Sequence, residues 1–417
     1  MVSAVADLPP GGARAVARCD MLGVAPYSDM AGGLYRAYLT PAYAAAQEQA
    51  RAWMVEAGMV VTRDAAANLV GRYEGSAPDA PALLIGSHLD SVRDAGRYDG
   101  PLGIMLGIEC VAALHARRQC LPFPIEVIAF GDEEGSRFPA AMLTSRAVAG
   151  TLTADALAIS DADGVPLGEA GVDVAHYLSA ARAPGETLAY LEAHIEQGPV
   201  LEAQGLAVGT VTGIAAQLRY QLTVTGMAGH AGTSSMGLRR DALAGAAEMM
   251  VAIEGIARAD ASDLVATVGR IEALPGAANV IPGTVRFTLD VRSGDPQRRD
   301  RAARAMLDEV AAIAGRRGLD FAVERVHDLP ASPCDERLMA LMDAAIAQAG
   351  QPPFRLVSGA GHDAMVMAAL CPTAMLFIRC AGGVSHNPAE AVDVADVEIA
   401  LAVMLAFITG LGETFGR

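Results

Sequence analysis

The chain of 417 residues is longer than one ordinary core accommodates and predicts two domains. With 52% hydrophobic residues, 44 glycines and 19% charged residues it reads as globular, which excludes disordered and fibrous classes. A formal charge of −17 argues against nucleic acid and anionic membrane surfaces as partners, although a local arginine and bound cations can still admit a small anionic substrate.

The six cysteines, Cys19, Cys110, Cys120, Cys334, Cys371 and Cys380, are scattered without CxxC spacing and read as reduced thiols of a cytoplasmic protein. Met1 to Gly12 has no basic flank leading into an apolar run, so no signal peptide is expected. Apolar stretches are broken by Gly, Asp or Arg before the roughly 20 residues of a membrane span, so none is expected to cross a bilayer.

In chain order, Tyr43, Ala46, Ala50, Trp53 and Met54 recur at helical spacing and predict a helix from Pro41, closed by Gly58. Asn68 to Tyr73 predicts a strand. The run Ala82 to Gly86 is short, apolar and bounded by glycine, as suits a parallel strand covered on both faces, and it leads to His88 and Asp90. Asp99, Gly100 and Pro101 then open a helix whose apolar residues are Ile104, Ile108, Val111 and Ala112. A second buried strand, Ile125 to Phe130, ends in Gly131-Asp132-Glu133-Glu134. A right-handed crossover brings both strand ends to one sheet edge, where open α/β sheets hold their ligands, so His88, Asp99 and Glu134 can converge.

One imidazole with several carboxylates supplies the nitrogen and oxygen ligands of a Zn²⁺- or Mn²⁺-type ion. Asp90 shares a face with His88 on extended backbone, so its carboxylate is expected to accept the other ring N–H of that histidine. A third apolar run, Leu188 to Ala193, delivers His194, followed by Ile195-Glu196-Gln197-Gly198-Pro199.

From about Thr212 the texture changes. Leu218, Tyr220, Leu222 and Val224 alternate with Gln217, Arg219, Gln221 and Thr223, the pattern of a sheet covered on one side only. A helix from about Leu238 to Ala259, strands at 264–271 and 284–292, a helix at 296–317 and a strand at 320–326 follow. This β-α-β-β-α-β order is that of a ferredoxin-like unit. The expected architecture is therefore α/β: a larger catalytic domain, residues 1–211 and 330–417, with a mostly parallel sheet flanked by helices, and an inserted ferredoxin-like α+β domain, 212–329. After Pro330 the chain returns to helix, to a strand from Thr373 to Ile378, and to the polar cluster Gly382 to Glu390 that carries His386.

His88, Asp99, Glu134, His194 and His386 are enough for two metals if Asp99 bridges them, since a two-metal site needs a shared ligand to hold ions about 3.5–4 Å apart. Glu133, left over beside Glu134, points differently and can serve as general base toward water and later as proton donor to the leaving nitrogen.

These residues resemble peptidase family M20, and within it the branch of allantoate amidohydrolases, N-carbamoyl-L-amino acid hydrolases and β-ureidopropionases. The resemblance spans nearly the whole chain and rests on Gly86-Ser-His-Leu-Asp-Ser-Val92, Tyr98-Asp-Gly-Pro-Leu-Gly103, Gly131-Asp-Glu-Glu-Gly-Ser-Arg-Phe138, Glu192-Ala-His-Ile-Glu-Gln-Gly-Pro199, Gly229-His-Ala-Gly-Thr233, Gly359-Ala-Gly-His-Asp363 and Ser385-His-Asn-Pro388. Related peptidases and deacylases carry a carboxylate where His194 stands, so His194 with Gln197 speaks for the ureido-hydrolysing branch. The resemblance implies one metal on His88, Asp99 and His194, another on Asp99, Glu134 and His386, and Glu133 as base. The ions it implies are Mn²⁺ or Zn²⁺, with Co²⁺ or Ni²⁺ as further candidates. It also implies a homodimer through the inserted domain, which closes over the site, with His230 acting from the partner subunit. The implied substrate-binding set is His230, Asn279, Arg292, Gln197, Gln217, Arg219 and Gly361. Arg292 offers a planar fork for a substrate carboxylate and His230 a donor to the developing oxyanion. Taken alone, Arg292 would read as a sheet-face arginine and His230 as a turn residue; the resemblance reverses both. His362 and Asp363 are expected to be structural.

Three functions stay open. The first is an amidohydrolase acting on a ureido carboxylate, with the segment Ser28 to Pro41 favouring allantoate and the release of ammonia and CO₂. The second, an aminoacylase or dipeptidase, is disfavoured by His194. The third, a metal-dependent binding protein, is disfavoured because a binder needs no base at Glu133.

Overall fold

The computed structural model describes residues 8–77 and 79–415. Its contacts divide the chain into two units, one of Met1–Thr212, Cys334–Leu356 and Ala360–Arg417, the other of Gly213–Pro333 with Val357–Gly359.

The sheet of the first unit runs in the order Val60–Arg63, Leu69–Tyr73, Ile125–Phe130, Ala82–His88, Thr187–Ile195, Thr373–Ile378, Val208–Ile214. The four strands from Ile125–Phe130 to Thr373–Ile378 pair in parallel, and those flanking them pair antiparallel. The mostly parallel sheet expected is thus a mixed one. The first two strands form an edge hairpin whose turn is held by Asp64, which accepts the N–H groups of Ala66 and Asn68. Val60–Arg63 is short and largely exposed, so it left no apolar signal in the sequence.

The parallel strands are buried almost throughout, which is why they read as short continuous apolar runs. Parallel pairing puts their C-terminal ends at one edge: His88 lies opposite Phe130, and His194 opposite Phe377. The helix Pro101–Ala116 follows Gly100, whose φ of +80° suits glycine and where a Cβ would sit 2.4 Å from the His88 carbonyl oxygen. That close turn presses Asp99 against the end of the His88 strand.

The helix Pro101–Ala116 is buried on nearly all sides and carries Glu109 into the core, where Arg14 and Arg18 meet it at 2.9 and 2.8 Å. The C-terminal helix contains a segment, Val394–Thr414, of mean hydropathy 2.0, long and apolar enough to cross a membrane. Its charges lie only near its ends, at Asp396, Glu398 and Glu413, and its Val397, Ala400, Val403, Met404, Phe407 and Ile408 join the same core as Ile104 and Leu106.

The second unit has an antiparallel sheet in the order Ile271–Leu274, Thr284–Ser293, Ala216–Thr225, Asp320–Leu329, with Val265–Thr267 also on Thr284–Ser293. The expected strand at 264–271 is two pieces, interrupted around Gly269. The helices Ala242–Ala259 and Pro296–Arg317 cover one face, packing Met249, Ile253, Met306 and Val310 onto Leu222, Val224, Phe287 and Leu289. Crossover order and strand order together are those of a ferredoxin-like unit. The opposite face carries Arg219, Gln221, Arg286, Thr288, Asp290 and Arg292.

Candidate metal centre

At the C-terminal edge of the parallel strands, the Asp99 carboxylate is surrounded by imidazoles. Its Oδ1 lies 3.5 Å from His88 Nε2 and 3.1 Å from His194 Nε2. Its Oδ2 lies 3.2 Å from His386 Nε2, which is 3.4 Å from Glu134 Oε1. Ligand atoms of His88, Asp99 and His194 fall within 4.8 Å of one another, as do those of Asp99, Glu134 and His386. Each oxygen of Asp99 therefore serves a different ligand set, the geometry required of a bridging carboxylate.

The ring hydrogens show what these sets lack. His194 Nδ1 sits 2.9 Å from the Ile195 carbonyl and His88 Nδ1 3.1 Å from the Asp90 carbonyl, so both Nδ1 atoms donate. A neutral ring then turns its Nε2 lone pair toward Asp99. His194 Nε2 and Asp99 Oδ1 are buried without a hydrogen-bond partner although they face each other. Two lone pairs at this distance repel unless a proton or a metal cation lies with them, and a set of imidazoles and carboxylates is what a divalent ion takes.

One expected role is altered. Asp90 holds the His88 ring through its backbone carbonyl; its carboxylate, 3.8 Å from that ring, instead accepts the N–H groups of Glu133 and Glu134 at 3.3 and 3.4 Å. Asp90 thus fixes the loop of paired glutamates. Gln197, at φ +57°, directs its amide N–H₂ to Asp99 Oδ2 at 3.0 Å and to Ser385 Oγ at 3.3 Å, so it braces the shared carboxylate. His386 and Asp132 also hold positive φ angles of 53° and 55°, which places backbone strain around the site.

Sequence reasoning missed the groups behind Asp99. Glu390 Oε1 accepts the backbone N–H of Tyr98 at 2.8 Å and of Asp99 at 3.1 Å. Ser385 Oγ lies between the carboxylates, 2.9 Å from Asp99 Oδ2 and 3.1 Å from Glu390 Oε2. Both residues belong to the polar cluster around His386, and only their neighbourhood to that histidine could have singled them out. His362, expected to be structural, packs its ring 4.4 Å from that of His194, and Asp363 beside it is fully buried.

Burial disfavours the charged form of His88, but Asp99, Glu133 and Asp90 outweigh it and raise its pKa well above the usual histidine value. Asp99 and Glu134 push His386 up to about 10. Burial would raise Asp99; the three imidazoles hold it well below the ordinary carboxylate range. Burial lifts Glu133 far above that range, His88 draws it down, and the charges of Asp363, Glu134 and Asp90 push it up again.

The residues expected to bind substrate fall into separate groups. Gln217, Arg219 and Arg292 converge on Asp290, beside a groove of about 640 Å³ lined also by Tyr220, Thr288 and Val326. His230 pairs with Val280 in a two-residue ladder, both His230 and Asn279 are exposed, and the Asn279 carbonyl accepts the Ala231 N–H at 2.9 Å. Gly361 lies in the first unit, where a Cβ would meet Met142 Cε at 2.7 Å.

Residues 84–410 match the sequence profile of peptidase family M20/M25/M40. The chain is 45% identical over 363 residues to the N-carbamoyl-L-amino acid amidohydrolase of Geobacillus stearothermophilus, covering 86% of this chain and 88% of that one. It is 40% identical over 433 aligned positions to allantoate deiminase 1 of Glycine max, covering 95% and 89%. A crystal structure of an amidase of the hydantoinase/carbamoylase family from Burkholderia multivorans superposes with a TM-score of 0.89 at 35% identity, over 96% of this chain and 97% of that one. The mixed α/β fold, its site and these relatives define a hydrolase acting on C–N bonds. The chain belongs to peptidase family M20/M25/M40.

Proposed function

We propose that the protein is a dinuclear-metal amidohydrolase cleaving a ureido C–N bond of a small carboxylate, with allantoate as substrate and ammonia and CO₂ among the products. The observation that carries this reading is Asp99 with His88 and His194 on one oxygen and His386 on the other. Divalent ions held by these sets, Mn²⁺ or Zn²⁺ and alternatively Co²⁺ or Ni²⁺, would polarise the ureido carbonyl and make water a stronger acid.

The chain's own residues supply the proton handling. Glu133 is 8% exposed, and its raised pKa suits a group that takes a proton from attacking water and returns it to the leaving nitrogen. Asp90 keeps it in place through the backbone N–H. Arg292 is assigned to the substrate carboxylate, with Arg219 and Gln217 beside it. His230 is assigned to the oxyanion, and Asn279 and Gly361 to the binding of substrate.

An N-carbamoyl-L-amino acid is the second reading, favoured by the higher identity, 45%, to the Geobacillus amidohydrolase. Assay of allantoate, N-carbamoyl-L-amino acids and N-acyl amino acids with added Mn²⁺ decides among them. The proposal expects turnover of a ureido compound, fastest for allantoate; hydrolysis of N-acyl amino acids alone would contradict it.

We also propose a homodimer through the second unit. Its sheet ends on Asp320–Leu329, an edge strand with Phe321, Val323 and Val326 exposed, a surface suited to two-fold pairing. Sedimentation of the protein tests this, with a concentration-independent monomer as the contrary result. The free cysteines, five of them buried, support a reducing compartment such as the cytoplasm.

A further inference from the structure

On the open face of the second unit's sheet, Gln217, Arg219 and Arg292 meet at a single carboxylate. Strand register explains the meeting: Asp290 is paired directly with Arg219, and Arg292 with Gln217. Asp290 Oδ1 accepts from Arg292 Nε at 2.7 Å, and Oδ2 from Arg292 Nη2 at 3.1 Å, Gln217 Nε2 at 2.6 Å and Arg219 Nε at 2.7 Å. Arg292 Nη1 donates to the Gly359 carbonyl.

A guanidinium has five N–H groups in a rigid fork. Here Asp290 takes two, on Nε and Nη2, and Gly359 takes one on Nη1, which leaves one N–H on each of Nη1 and Nη2. Two such N–H groups are the bidentate partner of a carboxylate. Arg292 borders the groove also lined by Tyr220, Thr267 and Thr288.

We propose that Asp290 is a positioning residue: it grips one edge of the Arg292 guanidinium so that the remaining N–H pair is presented to the carboxylate of the substrate. The inference rests on the assignment of Arg292 to that carboxylate. Without Asp290, Arg292 and Arg219 would repel each other, and a long flexible side chain would have to be ordered on every binding event. The opposite physical case also has a definite sign. If Asp290 merely neutralised a surface cluster, its removal would strengthen the positive field and favour an anionic substrate.

The test is steady-state kinetics of the metal-loaded protein, using allantoate or an N-carbamoyl-L-amino acid, whichever is hydrolysed, and the carboxamide of the same molecule. Asp290→Ala is expected to raise KM for the carboxylate at least about tenfold, the worth of one charge-assisted hydrogen bond, with kcat little changed. The carboxamide should be hydrolysed as by the wild type, and Asp290→Asn, which keeps one acceptor oxygen, should fall between. A KM that falls or stays constant overturns the proposal, as does equal loss on both compounds. Should the alanine variant not fold, the asparagine variant carries the same readout. Arg292→Met separates the underlying assignment: if preference for the carboxylate survives that change, the role of Arg292 is wrong; if it is lost there but kept in Asp290→Ala, only the positioning role is wrong. No hydrolysis of either ureido compound by the wild type overturns both.

Discussion

Two aspartates organise the two units, and they do so in opposite surroundings. Asp99 is 5% exposed and faces three imidazoles; the Asp290 side chain is 21% exposed and faces two guanidiniums and an amide. Burial pushes both carboxyls upward, and their partners bring both below the ordinary range. The partners differ in kind. An arginine stays charged, so Asp290 is balanced by the chain itself at any ordinary pH, whereas the imidazoles balance Asp99 only while protonated and must give up those protons to act as metal ligands. A buried carboxylate in that position calls for a cation from outside.

The sharpest way to break this contrast is exhaustive chelation. Activity should vanish and return with Mn²⁺ or Zn²⁺; activity that survives chelation ends the dinuclear reading. Next, Glu133→Gln should keep its metal while kcat falls by roughly 10² to 10⁴, and Glu134→Gln should lose metal. Equal metal loss in the two variants would show their roles exchanged.

A third carboxylate sharpens the comparison. Glu109 is as buried as Asp99 but is met by Arg14 and Arg18, so it needs no ion. Glu109→Ala leaves two buried guanidiniums without their main partner and should cost about 3–5 kcal/mol of stability, measured by denaturant unfolding, whether or not metal is present. The smallest effect is expected behind Asp99: Glu390→Ala frees the Tyr98 and Asp99 backbone and should weaken metal binding by roughly 10- to 100-fold. Unchanged affinity on titration calorimetry would show that Glu390 only packs.

What could be read from the sequence follows the same division. His88, Glu134, His194 and His386 were legible because each ends or follows a strand buried on both faces, whose apolar run announces where the polar edge begins. Asp99 was legible through the turn it shares with Gly100 and Pro101. Of the flanking antiparallel strands Leu69–Tyr73 was legible and Val60–Arg63 was not, since it is four largely exposed residues without period or apolar run. Nor was the carboxylate role of Asp90, because side chain and carbonyl of one residue lie near the same ring and spacing does not say which one bonds. Asp290 stayed hidden for another reason: two of its partners come from the neighbouring strand, and only register places Arg219 across from it and Gln217 across from Arg292. The bond from Gln197 to Asp99 was not legible either, because the left-handed backbone that turns its amide onto Asp99 leaves no mark in its residue type.

The central claim is that Asp99 is shared between two ions, and metal stoichiometry tests it directly. Elemental analysis after dialysis against a divalent metal should find two ions per chain in the wild type, one in His386→Ala and none in Asp99→Ala. Two ions retained by Asp99→Ala, or a single ion in the wild type, would contradict it.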